Sequence, residues 1–410
     1  MWELIQSNKR KSLILFFGMG ALLILIGFVF GSYYNSETGG AVGVFFAIVL
    51  WMILSAVSYF GGSKILLAVS GAKEVTKEIH PQLYNVVEEM KIAAGVPYFP
   101  KIYIIDDPAP NAFATGVKPE NSAIAVTSGL LSTLNRYELQ GVVAHEMSHI
   151  INRDILLMTF AGMMLGAITL MSEVFFRGMY FGGGSRYRSR SSSKSSSGQA
   201  QVVIMILAMA LAILGPILAQ LFYFAISRKR EYLADASAAR LTRYPEGLAS
   251  ALEKIASSTH TLRTANKVTA PMYIVNPLKK EGMKLADLTS THPPISERIK
   301  ILRALQQGIG YKDYQRIYEM ISGKKEKIIP DSALKEAVPI MPLQGAFTEE
   351  KDFNPVEAKR QTGDILMKMN DYQFINCSCG VRIKVPPDYN KSIVVCPRCG
   401  RKHSINNLSV

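Results

Sequence analysis

The stretch Asn135-Arg136-Tyr137-Glu138-Leu139-Gln140-Gly141-Val142-Val143-Ala144-His145-Glu146-Met147-Ser148-His149 decides how the rest of the chain is read. On a helix, imidazoles four residues apart share a face, about 6 Å apart, so both can reach one Zn²⁺ at about 2.0–2.1 Å. Glu146 follows the first histidine, placed to take a proton from an attacking water instead of binding the metal. The local helix signals agree. Asn135 is an N-cap candidate with Glu138 in the capping-box position, and Leu139, Val142, Val143 and Met147 recur at helical spacing. A chance match is the competing reading; composition alone produces such a motif in well under ~1% of chains like this one.

Composition sets the surroundings. The 410 residues are 49% hydrophobic and 19% charged, with a net charge of +14. That balance points to a membrane protein with sizeable soluble parts. Basic flanks that hold membrane orientation account for the charge more simply than nucleic acid does, and no nucleic-acid partner is expected.

Four apolar runs are long enough to span a bilayer. They cover about residues 12–30, 41–60, 155–172 and 202–226, the last with a proline, Pro216, that can kink a helix. The first lacks a cleavage site and is followed by a second span, so it reads as a retained anchor. Lys9, Arg10 and Lys11 precede span one, Lys64, Lys73 and Lys77 lie at or after the end of span two, and Glu37 alone is charged in the turn between. The positive-inside rule then puts the N-terminus and the catalytic parts in the cytosol. Arg186, Arg188, Arg190 and Lys194 in the Gly/Ser/Arg-rich loop 182–199 run against this, but the opposite flanks carry more positive charge. The loop reads as disordered by composition.

Between the hairpins, Pro81 to Ala94 reads as a helix closed by Gly95, with His80 at its start as a surface residue. Lys101–Ile105 and Ala123–Thr127 read as strands. They offer either an edge for an extended substrate or a plain hairpin over the core. The second membrane hairpin must return the chain to the face it left, which brings Ser227-Arg228-Lys229-Arg230-Glu231 back beside His149. Glu231 is thereby the candidate third ligand, with Asp235 one turn on; read in isolation, Glu231 is a surface partner for Arg228 or Arg230. Residues 228–322 read as helical and soluble, 323–371 as a linker.

The four cysteines, Cys377, Cys379, Cys396 and Cys399, are clustered near the end of the sequence. Two short pairs, each closing on glycine, suggest a structural zinc ribbon over 372–410, with a redox or disulfide role as the alternative.

The motifs His145-Glu146-Met147-Ser148-His149 with Asn152 and Asp154, Ser227-Arg228 with Glu231-Tyr232 and Ala234-Asp235, Asn111-Ala112-Phe113-Ala114 with Gly116, and His292-Pro293-Pro294 with Arg298 resemble the HtpX-type membrane metallopeptidases. These are relatives of the CAAX prenyl proteases with a gluzincin fold, and the match runs over about residues 1–305. The resemblance implies a mostly α fold with a small β-sheet, split as 1–70 (membrane hairpin), 71–154 (first catalytic half), 155–226 (second hairpin) and 227–322 (second half). It implies that His145, His149 and Glu231 bind zinc and that Glu146 is the general base. Asp235, Asp154 and Arg298 would support the ligands, Asn111, Ala112 and Phe113 would meet substrate, and His292 would stabilise the oxyanion. The implied activity is zinc-dependent cleavage of damaged membrane proteins at the cytosolic face of the cell membrane. The alternatives are processing of lipid-modified peptides and, in another class, a membrane adaptor working through the ribbon.

Overall fold

A computed structural model describes residues 2–35, 37–186, 197–263, 270–275, 293–305, 308–335 and 353–405. Two apolar helices, α1 (Trp2–Tyr34) and α2 (Gly39–Val69), form an antiparallel hairpin. Glycines let their backbones meet: a Cβ on Gly31 would stand 2.0 Å from the Gly39 carbonyl oxygen, and one on Gly43 2.0 Å from that of Gly27. Small residues at such a seam are how helices pack closely in lipid.

The chain then builds β1 (Ala72–Glu74), α3 (Pro81–Ala94), β2 (Lys101–Ile105), β3 (Ala112–Thr115), β4 (Ala123–Thr127), α4 (Ser128–Thr133) and α5 (Arg136–Ile151). The sheet order is β1-β2-β4-β3. Strands β2 and β4 pair in parallel, where a hairpin was one expectation, and β3 returns antiparallel to β4 as the outer strand. Helix α5 carries the H-E-x-x-H motif. Its capping box forms as the sequence suggests: Glu138 N donates to Asn135 Oδ1 and Asn135 N to Glu138 Oε2, each at 2.8 Å.

After α5 come two long helices, α6 (Asp154–Arg186) and α7 (Ser197–Thr242). Helix α7 runs on through Pro216 and carries Glu231 and Asp235 on its far end. The central part of the Gly/Ser/Arg loop, 187–196, lies outside the described residues; its flanks are helical. Among the described residues, four stretches, Ser12–Tyr33, Gly39–Val69, Asp154–Gly178 and Val202–Leu221, are long and apolar enough to cross a membrane. Next are α8 (Pro245–Ala256), α9 (Ile295–Ala304), α10 (Tyr311–Ser322) and α11 (Asp331–Leu334).

The segment read as a linker contains α12 (Pro355–Met369), capped by Asn354. Ile365, Leu366 and Met369 of α12 pack onto the catalytic core. The ribbon follows as β5 (Gln373–Asn376) with β6 (Arg382–Val385) and β7 (Ile393–Val395) with β8 (Lys402–Ser404). Asp364 of α12 pairs with Arg382 at 3.1 Å and Lys384 at 2.7 Å, which ties the ribbon to the helix.

His80 departs from its surface reading. It is buried, and its Nδ1 accepts from Leu83 N at 3.2 Å as the N-cap of α3. Burial depresses its pKa from 6.5 to about 4. The unfolded chain therefore binds a proton that the fold refuses in that interval. Stability from neutral His80 is complete above pH 6.5 and is lost as pH falls towards about 4. A His80→Asn variant, which keeps a capping acceptor, is expected to flatten the acid-side slope of the thermal midpoint. An unchanged slope would show that His80 does not carry it.

Candidate active site

Helix α5 points both histidines the same way, and their Nε2 atoms lie 3.2 Å apart. Helix α7 delivers the Glu231 carboxylate to the same point, 3.5 Å from His145 Nε2 and 3.6 Å from His149 Nε2. One ligand atom from each residue lies within 4.8 Å of the others, and all three residues are buried. Two imidazole nitrogens and one carboxylate are the donor set of a catalytic zinc with an open position.

Each imidazole is braced from behind. Asp235 Oδ1 lies 3.0 Å from His145 Nδ1, and Asp154 Oδ2 lies 3.2 Å from His149 Nδ1. A carboxylate on the far nitrogen fixes the tautomer and aims the other lone pair. Asp154 reaches its histidine because Arg153 takes a left-handed conformation (φ 60°) and turns the chain from α5 into α6. Asp235 is itself held by Arg298 of α9, fully buried, which donates Nε to Oδ2 at 2.8 Å and Nη2 to Oδ1 at 2.7 Å.

The electrostatics suit a cation. Burial disfavours charge on His145, yet the adjacent carboxylates of Asp235 and Glu231 outweigh it and raise its pKa to about 9. Burial also opposes the Asp235 charge, but the guanidinium of Arg298 prevails and holds that carboxyl below the usual range. Glu146 is buried beside the pair. Desolvation raises its pKa, against the pull of His145, His149 and the backbone amide of Ala114. That amide belongs to β3, so the outer strand and the candidate base touch.

The outer edge of β3 is engaged by a segment that the sequence reading did not single out. Ile274 N donates to the Ala112 carbonyl at 2.9 Å, and the Ile274 carbonyl accepts from Arg298 Nη1 at 3.2 Å. The Asn111 carboxamide takes both backbone groups of Val275, donating Nδ2 to its carbonyl at 2.8 Å and accepting its N–H at 3.4 Å. Phe113 packs against Tyr273 with ring centroids 5.0 Å apart. The signal was a run of strand-favouring residues, Tyr273-Ile274-Val275, before Asn276-Pro277. His292, expected at the oxyanion, lies outside the described residues.

The four cysteines form a second cluster. Cys377 Sγ is 3.5 Å from Cys399 Sγ, and Cys379 Sγ is 3.6 Å from Cys396 Sγ. These separations far exceed the roughly 2.05 Å of a disulfide and approach the edge, about 3.8 Å, of a tetrahedron with Zn–S bonds of about 2.3 Å. Gly380 (φ 86°) and Gly400 (φ 72°) close the two knuckles in a left-handed conformation. The Cys399 amide leads in stabilising the Cys396 thiolate and pulls that thiol down to about 6.

A metal-ligand cluster on an H-E-x-x-H helix, joined by a carboxylate from a helix leaving the membrane, is the site of a membrane metallopeptidase. The sequence model of peptidase family M48 matches residues 78–306, and the chain belongs to that family. Its relatives carry the name of the type read from the motifs. The chain is 47% identical over 304 residues to a "Protease HtpX homolog" of Dictyoglomus turgidum, covering 74% of this chain and 94% of that protein. It is 42% identical over 306 residues to one from Streptococcus gordonii, covering 74% and 100%. Among solved structures, the crystal structure of S. mikatae Ste24p aligns over 74% of this chain and 67% of that one, with 22% identity and a TM-score of 0.37. The chain is thus a metalloprotease, and M48 metalloproteases use zinc. The cysteine ribbon lies beyond the matched region.

Removing one partner of a buried ion pair leaves the other charge unpaired, at a cost of about 3–5 kcal/mol. Arg298→Leu is expected to lower stability by that order in thermal or denaturant unfolding. The double variant Arg298→Leu/Asp235→Leu should lose less than the two single losses added together. Additive losses would show that the pair does not act as a unit.

Proposed function

We propose that this protein is a zinc endopeptidase of the cytosolic membrane face that cleaves damaged or misassembled membrane proteins. The observation that carries the reading is the convergence of His145, His149 and Glu231 on one buried point beside Glu146. Zinc held by those three side chains would supply Lewis-acid polarisation of the scissile carbonyl and the attacking water.

The chain's own residues do the rest. Glu146 accepts the proton of the attacking water and hands it to the leaving amide nitrogen. Its burial raises its proton affinity, which suits a group that must first take and then give a proton. Asp235 and Asp154 keep the imidazoles aimed, and Arg298 keeps Asp235 charged and in place. His292 is our candidate for a further oxyanion donor, and the Asn111–Phe113 edge for main-chain recognition of substrate.

The position of the site supports membrane proteins as substrates. Asp154 begins one candidate span, and Glu231 follows the end of another, Leu221, by ten residues (231 − 221). A site so close to the bilayer reaches loops and frayed helix ends just outside it. Basic flanks at Lys9, Arg10, Lys64, Arg153 and Arg228–Arg230 support a cytosolic orientation. The Cys377–Cys399 cluster is proposed to hold a second, structural zinc that a module this small needs in order to fold.

Glu146→Gln is expected to retain zinc while casein cleavage falls by about 10²–10⁴-fold, the usual worth of general acid–base catalysis. Near wild-type turnover by the metal-loaded variant would remove Glu146 from the chemistry. Elemental analysis of purified protein should find about two zinc per chain. One should remain in His149→Ala and one in Cys396→Ser. A single zinc in the wild type, insensitive to the cysteine change, would refute the ribbon site.

A further inference from the structure

At the catalytic end of the membrane bundle, α1, α2 and α6 part around a cavity of about 370 Å³. Its walls are almost wholly apolar, with Phe16, Leu157 and Phe160 among them, and Lys9 stands at its rim. Two features set it apart from a packing defect. Ser58 lines the cavity at 3% exposure, and its Oγ has no hydrogen-bond partner among the described residues. A buried hydroxyl without a partner costs about 1–3 kcal/mol, and an acceptor brought within reach of Ser58 would remove that cost. Lys9 is exposed, and no carboxylate pairs with it among the described residues.

We infer that this cavity is a binding site for an anionic phospholipid, with an acyl chain among the apolar side chains, an ester or phosphate oxygen accepting from Ser58, and the headgroup on Lys9. The chemistry is graded along the site in the same order as along a lipid: apolar wall, neutral donor, cation. The location agrees. The cavity joins the start of the span in α1, the later half of α2 and the start of α6, all at the membrane face where the active site stands.

The site bears directly on the catalytic machinery through α6. Leu156, Leu157 and Phe160 face the cavity. Between them, Thr159 Oγ1 lies 3.1 Å from Thr115 Oγ1 and donates to the Gly116 carbonyl at 3.2 Å, which holds the end of β3. The first residue of the same helix, Asp154, is the carboxylate behind His149. A lipid that fills the cavity fixes the helix that sets both the edge strand and one metal ligand, and the protease is thereby lipid-activated.

The test uses full-length, zinc-loaded protein, with phosphatidylglycerol and phosphatidylcholine as probes. Native mass spectrometry is expected to show phosphatidylglycerol retained about fivefold more than phosphatidylcholine, the worth of one lysine near an anionic headgroup. Lys9→Gln should abolish that preference without reducing zinc content. Leu157→Trp, which fills the cavity, should reduce retention of both lipids. Phosphatidylglycerol should raise casein cleavage by the wild type but not by Leu157→Trp. Soluble glycerol phosphate should not compete, because the acyl chain supplies most of the binding.

Equal retention of the two lipids, or retention untouched by both variants, would overturn the proposal as annular lipid only. Unchanged lipid binding in Leu157→Trp with a raised KM for a membrane-spanning substrate would instead assign the cavity to substrate. Lys9→Gln lies at the rim and keeps the proposal falsifiable if the tryptophan variant fails to fold. Lipid retention is read without turnover, so its failure is separable from a failure of the peptidase reading.

Discussion

The site depends on carboxylates placed behind imidazoles. Two histidines on one helix face share a direction but not an aim; each ring can still turn about its χ2. Asp235 and Asp154 remove that freedom by fixing the far nitrogens, and Arg298 in turn removes it from Asp235. The arrangement costs desolvation of several charges, which a buried pair repays poorly in stability. Its return is geometric: two Nε2 atoms and a Glu231 carboxylate that meet without rearrangement.

This explains why the catalytic domain and the membrane part are one construction. Glu231 and Asp235 are four residues apart on α7, so one helix supplies both a candidate ligand and the carboxylate behind His145. Asp154 heads α6. Both helices continue into apolar spans, and the loop between α5 and α6 is reduced to a turn around Arg153. The ligand cluster therefore sits near where two candidate spans end, with α8 packed on α5 and α7, and α9 and α10 packed on α7.

Much of this was legible in the residues. The α5 helix announces itself through its cap, its stripe and its paired histidines. Glu231 follows from topology, since a membrane hairpin must return to the face it left. The link between Asp235 and Arg298 was not derivable from spacing: 63 residues separate them, and only the family resemblance pointed to Arg298. Strand β3 was obscure because Ala112-Phe113-Ala114-Thr115 is buried on both faces and shows no alternation. Its neighbours β2 and β4 were visible as strands, but their parallel pairing was not, because an intervening strand passes beyond β4 before the chain returns. His80 looked like a surface residue on polarity alone, although the Pro81 that follows marks a helix start and makes a buried capping role physically reasonable. Helix α12 was lost among prolines and charges, even though Asn354-Pro355 with Glu357 is a helix-start signal and Ile365, Leu366 and Met369 form a stripe.

The engagement of β3 by Tyr273–Val275 has a consequence for any polypeptide that enters the cleft. The acceptor on Ala112, the carboxamide of Asn111 and a donor of Arg298 already serve the protein's own backbone. Docking there is a swap of like for like, not the gain of new bonds. On the proposed reading of that edge as the place where substrate is recognised, net affinity would come from side chains and from the disorder of the incomer, which would favour a loosely folded chain over a well-ordered one.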